Sequence, residues 1–197
     1  MKKYFLCILL LLSSCVNIES NVQSFSSQDT INLDDKIYIM PYKFQNKSYN
    51  LTMIDENKLI SLVKNKIIKK GYTIINDSKQ ATVVAIVGFN NGHDISFDTS
   101  NMKNIGISSD RFKTTNVFYV QHEETKYQNR LPFSRSAIFI AFRQENGSPK
   151  IIYKSTIKSN DSCDMLSHIV SYLVSELLFD FPYSRPNEIK YISNKNC

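Results

Sequence analysis

Several residue types and motifs are scarce in this 197-residue chain, and each scarcity excludes a class of protein. Glycine and proline occur five times each, which excludes collagen-like and Gly/Pro-rich low-complexity sequences. No Gly-x-x-x-x-Gly-Lys or Gly-x-Gly-x-x-Gly motif offers a phosphate cradle, and no Gly-x-Ser-x-Gly motif offers a serine nucleophile. What the chain does contain, 42% hydrophobic and 12% aromatic residues, is enough for a folded core.

Long apolar runs are also missing, and the longest one lies at the N-terminus. It covers residues 4–12 and would rise only about 14 Å as a helix, against a bilayer core of roughly 30 Å. Lys2 and Lys3 precede it and two serines follow it, an order typical of a secretory signal peptide. We therefore expect residues 1–14 to be removed on export.

The end of this leader, Leu12-Ser13-Ser14-Cys15, resembles the lipobox of bacterial lipoproteins. The resemblance implies that Cys15 receives a diacylglyceryl group, that the chain is cut before it, and that the new amino group is acylated. Val16 follows in place of the Asp that retains lipoproteins at the inner membrane, which implies the outer membrane, facing the periplasm. An ordinary signal peptide with a chance cysteine is the alternative.

Residues 16–35 are polar and show no sustained period of 2 or 3.6. We interpret residues 15–35 as a lipidated cysteine followed by a flexible tether. The remainder, residues 36–197, is expected to form a single domain with a C-terminal tail.

Two cysteines remain once Cys7 leaves with the leader and Cys15 carries lipid. Disulfides persist in exported proteins, so we predict that Cys163 and Cys197 pair, with the tail folded back along the last helix. Two free thiols, or pairing between chains, are the alternatives. Neither cysteine has a second cysteine or a histidine at ligand spacing, so no metal site is expected there.

Hydrophobic spacing predicts two helices and several strands. One helix covers Ile54–Lys70 and ends before Gly71, and the other begins near the caps Asp161 and Ser162. Strands are predicted over 36–42, 72–75, 81–88, 114–121, 134–143 and 150–157, with Asn146-Gly147 as a hairpin turn and 90–111 as a long loop. The order favours an α+β fold: a mixed, mainly antiparallel sheet of about five or six strands with two helices packed on one face.

Four segments together resemble the DUF4136-type bacterial lipoproteins. They are Leu59–Tyr72, Gln80–Val87, Ile138–Lys154 and Leu177–Pro182, so the resemblance covers about residues 36–182. The chain departs from that pattern with Thr82 in place of Asp and with Tyr153 in place of Trp. The resemblance implies a lipid-anchored envelope domain without an established active site.

Two histidines stand beside carboxylates, in Gly92-His93-Asp94 and in Gln121-His122-Glu123-Glu124. Such neighbours suit acid-base or metal chemistry, but adjacent residues of an extended segment point to opposite sides. His122-Glu123 also lacks the second histidine that a zinc protease helix carries. We interpret His93 and His122 as surface histidines, with a weak metal or catalytic role as the alternative.

Taken together, these features favour a non-enzymatic structural or interaction module of the cell envelope. Its expected partners are the membrane, through the lipid, and an envelope protein, with no cofactor, nucleotide or nucleic acid. Phe97, Phe112 and Tyr127 in the polar loops serve either as partner anchors or as plugs of this protein's own core. An accessory lipoprotein of a secretion or export machine, a ligand-binding lipoprotein, and a hydrolase or metal-dependent enzyme using the loop histidines are the alternatives.

Overall fold

The structure is a computed structural model, and it describes residues 16–42, 53–91, 133–145, 148–162 and 166–194. Within these residues seven strands form one sheet and two α-helices pack against it. The strands are β1 (Val16–Ser26), β2 (Lys36–Pro41), β3 (Thr73–Ile75), β4 (Val83–Asn91), β5 (Phe133–Glu145), β6 (Ser148–Asp161) and β7 (Arg185–Asn194). The helices are α1 (Met53–Lys69) and α2 (Leu166–Leu177).

The sheet has the strand order β3-β2-β4-β5-β6-β1-β7. Strand β2 pairs in parallel with β3 and β4, and the remaining neighbours pair antiparallel. Glu145 pairs with Ser148, so the predicted hairpin is confirmed by its strands, while the turn itself lies outside the described residues. The predicted α+β class and the mixed, mainly antiparallel sheet are confirmed.

Both helices cover the same face of the sheet, as predicted. Helix α1 contributes Leu59, Val63 and Ile67 to this core, and α2 contributes a wide apolar arc from Ile169 to Leu178. Phe181 packs edge-on against three rings, those of Tyr72, Phe139 and Tyr153, with centroids 5.0–5.7 Å apart. This aromatic cluster connects the segments that follow α1 and α2 to the centre of the sheet.

Helix α1 ends where its sequence signal lies. Gly71 has φ of +91°, a conformation that favours glycine, and the Gly71 and Tyr72 N–H groups donate to the carbonyls of Ile68 and Ile67. The helix therefore stops within one turn of the predicted position. In the described part of the chain, no helix is both long enough and apolar enough to cross a membrane.

The second face of the sheet differs from one half to the other. In the buried half, strands β2, β4 and β5, a second apolar cluster is almost fully buried: Tyr42, Ile86, Ile138, Ile140 and Phe142. Gly88 lies among them, and a Cβ at this position would come within 3.0 Å of the Tyr42 Cβ. In the open half, strands β6, β1 and β7, this face is mostly polar and exposed.

Three predictions about where segments begin and end are wrong. Residues 16–26 form β1, paired on both sides with β6 and β7, and are not part of a tether. The tail forms β7 instead of lying along the last helix, so the sheet has seven strands and not five or six. Asp161 ends β6 and does not cap α2, which begins at Leu166. The predicted strand 114–121 lies outside the described residues.

Candidate interaction surface

Strand β7 forms one edge of the sheet and carries two large exposed apolar side chains, those of Ile189 and Tyr191. Its inner side pairs with β1, from Asn194 opposite Val16 to Arg185 opposite Ser24, with a register shift between Val22 and Ser24. Alternate residues point to the two faces, so Ile189 and Tyr191 lie on the open face, where they are 55% and 74% exposed. The β7 edge is thus long, partly apolar and, in the described residues, paired only on its inner side.

The opposite face of β7 carries charges that are held by helix α2 and the loop after it. Arg185 forms ion pairs with Asp180 at 3.1 Å and with Glu188 at 2.7 Å. Lys190 pairs with Glu176 at 2.7 Å. The Arg185 and Lys190 charges also lie 5.2 and 5.1 Å from the ring centre of Phe179. These contacts fix the position of β7 relative to α2.

A shallow concavity of about 380 Å³ opens on the open face beside the bulge of β7. Lys154 contributes a half-buried ammonium group, and desolvation lowers the pKa of Lys154. Phe25 contributes a ring that is 56% exposed. The full lining is Gln23, Ser24, Phe25, Lys154, Thr156, Arg185, Pro186 and Asn187. A cation, an aromatic ring and amide side chains together form a surface suited to recognising a polar partner.

Two buried polar groups connect the halves of the sheet. Arg135 in β5 forms an ion pair with Asp161 in β6, and their side chains are 2% and 0% exposed. Ser159 donates a second hydrogen bond to Asp161 at 3.2 Å. Both charges are removed from water, so each compensates the other inside the protein.

The Thr82 departure from the family pattern also has a structural role. Its hydroxyl donates to Asp35 at 2.8 Å and accepts from the Lys36 N–H at 2.9 Å. Asp35 also accepts from Arg143 and from the Asn32 N–H at 2.8 Å. These bonds tie the loop between β1 and β2 to the start of β4 and to β5.

Every site residue predicted from the sequence lies outside the described residues: Cys15, His93, His122, Cys163 and Cys197. The described strand ends nevertheless show where some of them attach. Val16, next to Cys15, pairs with Asn194, and Asp161 pairs with Ile18. The starts and ends of the strands next to Cys15, Cys163 and Cys197 therefore share one end of the sheet. Among the described residues no group of three or more His, Cys, Asp and Glu is arranged to hold a metal ion.

The three aromatic residues predicted to lie in polar loops, Phe97, Phe112 and Tyr127, are also outside the described residues. Sequence reasoning missed the β7 edge because it interpreted residues after 182 as a tail. The available signal was the alternation of charged and apolar residues from Glu188 to Tyr191.

No family model matches the chain, and no curated protein matches it. Several solved structures resemble it, and three of them show the extent of the likeness. A DUF4136 family protein from Bacteroides thetaiotaomicron has a TM-score of 0.48 at 12% identity, with 82% of this chain and 95% of that one covered. The PelC dodecamer from Paraburkholderia phytofirmans has a TM-score of 0.46 at 13% identity, with coverage of 81% and 94%. A PDZ domain protein from Parabacteroides distasonis has a TM-score of 0.47 at 10% identity, with coverage of 94% and 41%.

Proposed function

We propose that this protein is a lipid-anchored domain of the bacterial cell envelope that works as a non-enzymatic interaction module. The observation that carries the proposal is the position of β1. This strand begins at Val16, immediately after the lipobox cysteine Cys15, and it lies inside the sheet between β6 and β7. An acyl anchor on Cys15 would therefore be joined to the folded sheet without a spacer.

Direct attachment sets how far the interaction surface lies from the anchored end of β1. The concavity borders β1 at Gln23 and Phe25, which lie seven and nine residues beyond Val16. At roughly 3.3 Å per residue, this distance is about 23–30 Å along the strand. Buried acyl chains contribute about 0.8 kcal/mol per CH₂, so two or three chains hold the protein at the membrane durably. Such a domain presents its open face to envelope partners at a short, fixed distance.

The side chains of the surface support a recognition role. Arg185 and Lys190 are held in place by Glu176, Asp180 and Glu188, so their geometry is set before a partner arrives. Pre-organised charges lower the ordering cost of association. Phe25, Ile189 and Tyr191 add apolar area on the other face of the same strands. This combination fits the binding of a protein surface.

The anchor is tested by membrane fractionation and by mass spectrometry of the mature N-terminus. We expect an acylated Cys15 as the first residue and complete recovery of the protein with membranes. Cys15→Ser should abolish acylation, whereas Cys7→Ser, a matched change inside the leader, should leave it intact. A mature chain with an unmodified Cys15, or with the leader still attached, would refute the proposal.

The module role is tested by crosslinking in native membranes followed by affinity capture. A recurrent envelope protein, captured less well after Phe25→Ala, is the expected result. Elemental analysis of the purified protein and of its His93→Ala and His122→Ala variants tests the alternative, a metal-dependent enzyme. A bound metal that is lost in either variant would favour an enzyme and contradict the module.

The disulfide remains part of this proposal, now with a different path for the tail. Asp161 and Ile192 both lie level with Ile18, on the two neighbours of β1, so about 10 Å separates their backbones. Two residues lead from Asp161 to Cys163 and five from Ile192 to Cys197, which at about 3.3 Å each is ample reach. Intact-mass measurement after alkylation without reductant should show neither thiol modified. Free alkylation of both would show that they are unpaired.

A further inference from the structure

We infer that the β7 edge pairs with β7 of a second copy of this chain, antiparallel and with a two-fold axis at Ile189. The inference deepens the proposed function, because it names the partner of one edge of the open half. The first argument is geometric. β7 runs from Arg185 to Asn194 at the end of the strand order, and in the described residues its outer side has no strand beside it. An edge of this kind is a template for another strand.

The bulge in β7 limits which residues can pair. The register with β1 shifts between Glu188 and Arg185, and Pro186 in this stretch has no N–H to donate. Pro186 and Asn187 both lie inside this irregular stretch, so the regular part of the edge starts at Glu188. An antiparallel pair that is symmetric about Ile189 has residues 188–190 of both copies in its central ladder, which keeps the bulge outside that ladder.

Charge selects the same register. In an antiparallel pair centred on Ile189, Glu188 of each copy lies directly opposite Lys190 of the other, with Cβ atoms about 4.5–5.5 Å apart. Moving the centre by one residue to Lys190 would place two lysines opposite each other. The Glu188 side chain is 47% exposed and that of Lys190 is 23% exposed, so both remain accessible beside their partners within the chain.

The other face supplies the apolar contact. Ile189 would lie opposite Ile189 of the second copy, and Tyr191 would lie opposite Asn187. These are directly opposed pairs on the open face, where Ile189 and Tyr191 are the exposed apolar side chains of β7. Pairing would remove them from water, and this burial favours association.

Cysteine crosslinking in the full chain tests the register. Ile189→Cys should give a disulfide-linked dimer on mild oxidation, because residue 189 faces its own copy. Tyr191→Cys is the matched control: it lies on the same face and is more exposed, but it is opposite Asn187. We expect at least a tenfold smaller yield from it, with the unsubstituted chain as the baseline for native cysteines. Equal yields from both variants, or no dimer from Ile189→Cys, would overturn the inference.

Charge reversal gives a second test that does not depend on added cysteines. Glu188→Lys alone places two lysines opposite two lysines, and Lys190→Glu alone places glutamates opposite glutamates, so each variant should dimerise at least tenfold more weakly. A mixture of the two variants restores both opposite-charge pairs and should form a mixed dimer. If circular dichroism shows both variants folded and the mixture stays monomeric, the pairing is wrong. Loss of the dimer with the chain still acylated and membrane-bound would refute only this inference, not the anchor.

Discussion

The two halves of the sheet differ in how many faces of their strands are buried. Strand β4 is buried on both faces, and every residue from Val83 to Asn90 has little or no exposed surface. Strand β1 is buried on one face only, where Ile18, Ser20 and Val22 alternate with exposed polar residues. Continuous apolar sequence therefore marks a strand that is covered twice, whereas small hydroxyl side chains can occupy the inner face of a strand that is covered once.

The two halves also offer different surfaces to a partner. The main apolar cluster under the helices extends across both halves, whereas the second cluster lies only in the buried half, which has little surface to offer. The open half carries Phe25, the β7 edge and the concavity. Substitutions in the two halves should therefore have different consequences, and four predictions test this, from the largest expected effect to the smallest.

The ion pair at the junction of the halves should give the largest effect. Asp161→Ala removes the carboxylate that compensates the buried charge of Arg135, and we expect a loss of about 3–5 kcal/mol in the free energy of unfolding. Urea denaturation measures it. The double variant Arg135→Met with Asp161→Leu removes both charges and should recover most of the loss. If the double variant is no more stable than the single one, the loss in Asp161→Ala does not come from the charge that remains on Arg135.

A matched pair of phenylalanines on the second face tests the comparison directly. Phe142 in the buried half is almost fully covered, and Phe142→Ala should cost about 3–5 kcal/mol of unfolding free energy. Phe25→Ala in the open half should change it by less than about 0.5 kcal/mol. Denaturation curves of the two variants give both values. Equal losses would mean that the halves do not differ as described.

The hydroxyl at the inner face of β1 should have an intermediate effect. Ser20 and Tyr172 share a hydrogen bond of 2.7 Å between their hydroxyl oxygens, and Ser20 is fully buried. Ser20→Ala should cost about 1 kcal/mol, and Tyr172→Phe a similar amount. A double-mutant cycle should show that the two losses are not additive. Asn21→Ala, the exposed neighbour, is the control and should change little.

The smallest effect concerns an exposed ion pair beside the hairpin. The pKa of Asp29 lies below its ordinary value of 3.8, mainly because Lys150 donates a hydrogen bond to the carboxylate and secondly because Lys150 is positively charged. A lowered folded pKa means that this pair stabilises the protein above pH 3.8 and that the contribution is lost as the pH falls through the lower folded value. Wild type and Asp29→Asn should thus differ slightly at neutral pH and converge in acid. Added salt should shrink the difference, and a difference that persists at low pH would assign it to another cause.

Sequence reasoning succeeded where the pattern was local. Helix α1 with Gly71, the apolar strand β4 and the β5–β6 hairpin all follow from residue spacing. It failed for β1 and β7 because both strands are short of apolar residues and are completed by each other and by β6. Asp161 looked like a helix cap because Asp is favoured there, and only its partner Arg135, 26 residues away, shows why it ends a strand.

The sequence by itself determined the fold class, the position of α1 and the lipobox prediction, because period, capping and leader signals act over a few neighbouring residues. Only the tertiary structure decided that the residue after Cys15 begins an interior strand, that the tail becomes the β7 edge, and that Arg135 meets Asp161. These features depend on pairing between segments far apart in the chain, and the free energy of such pairing comes from partners that no local window contains.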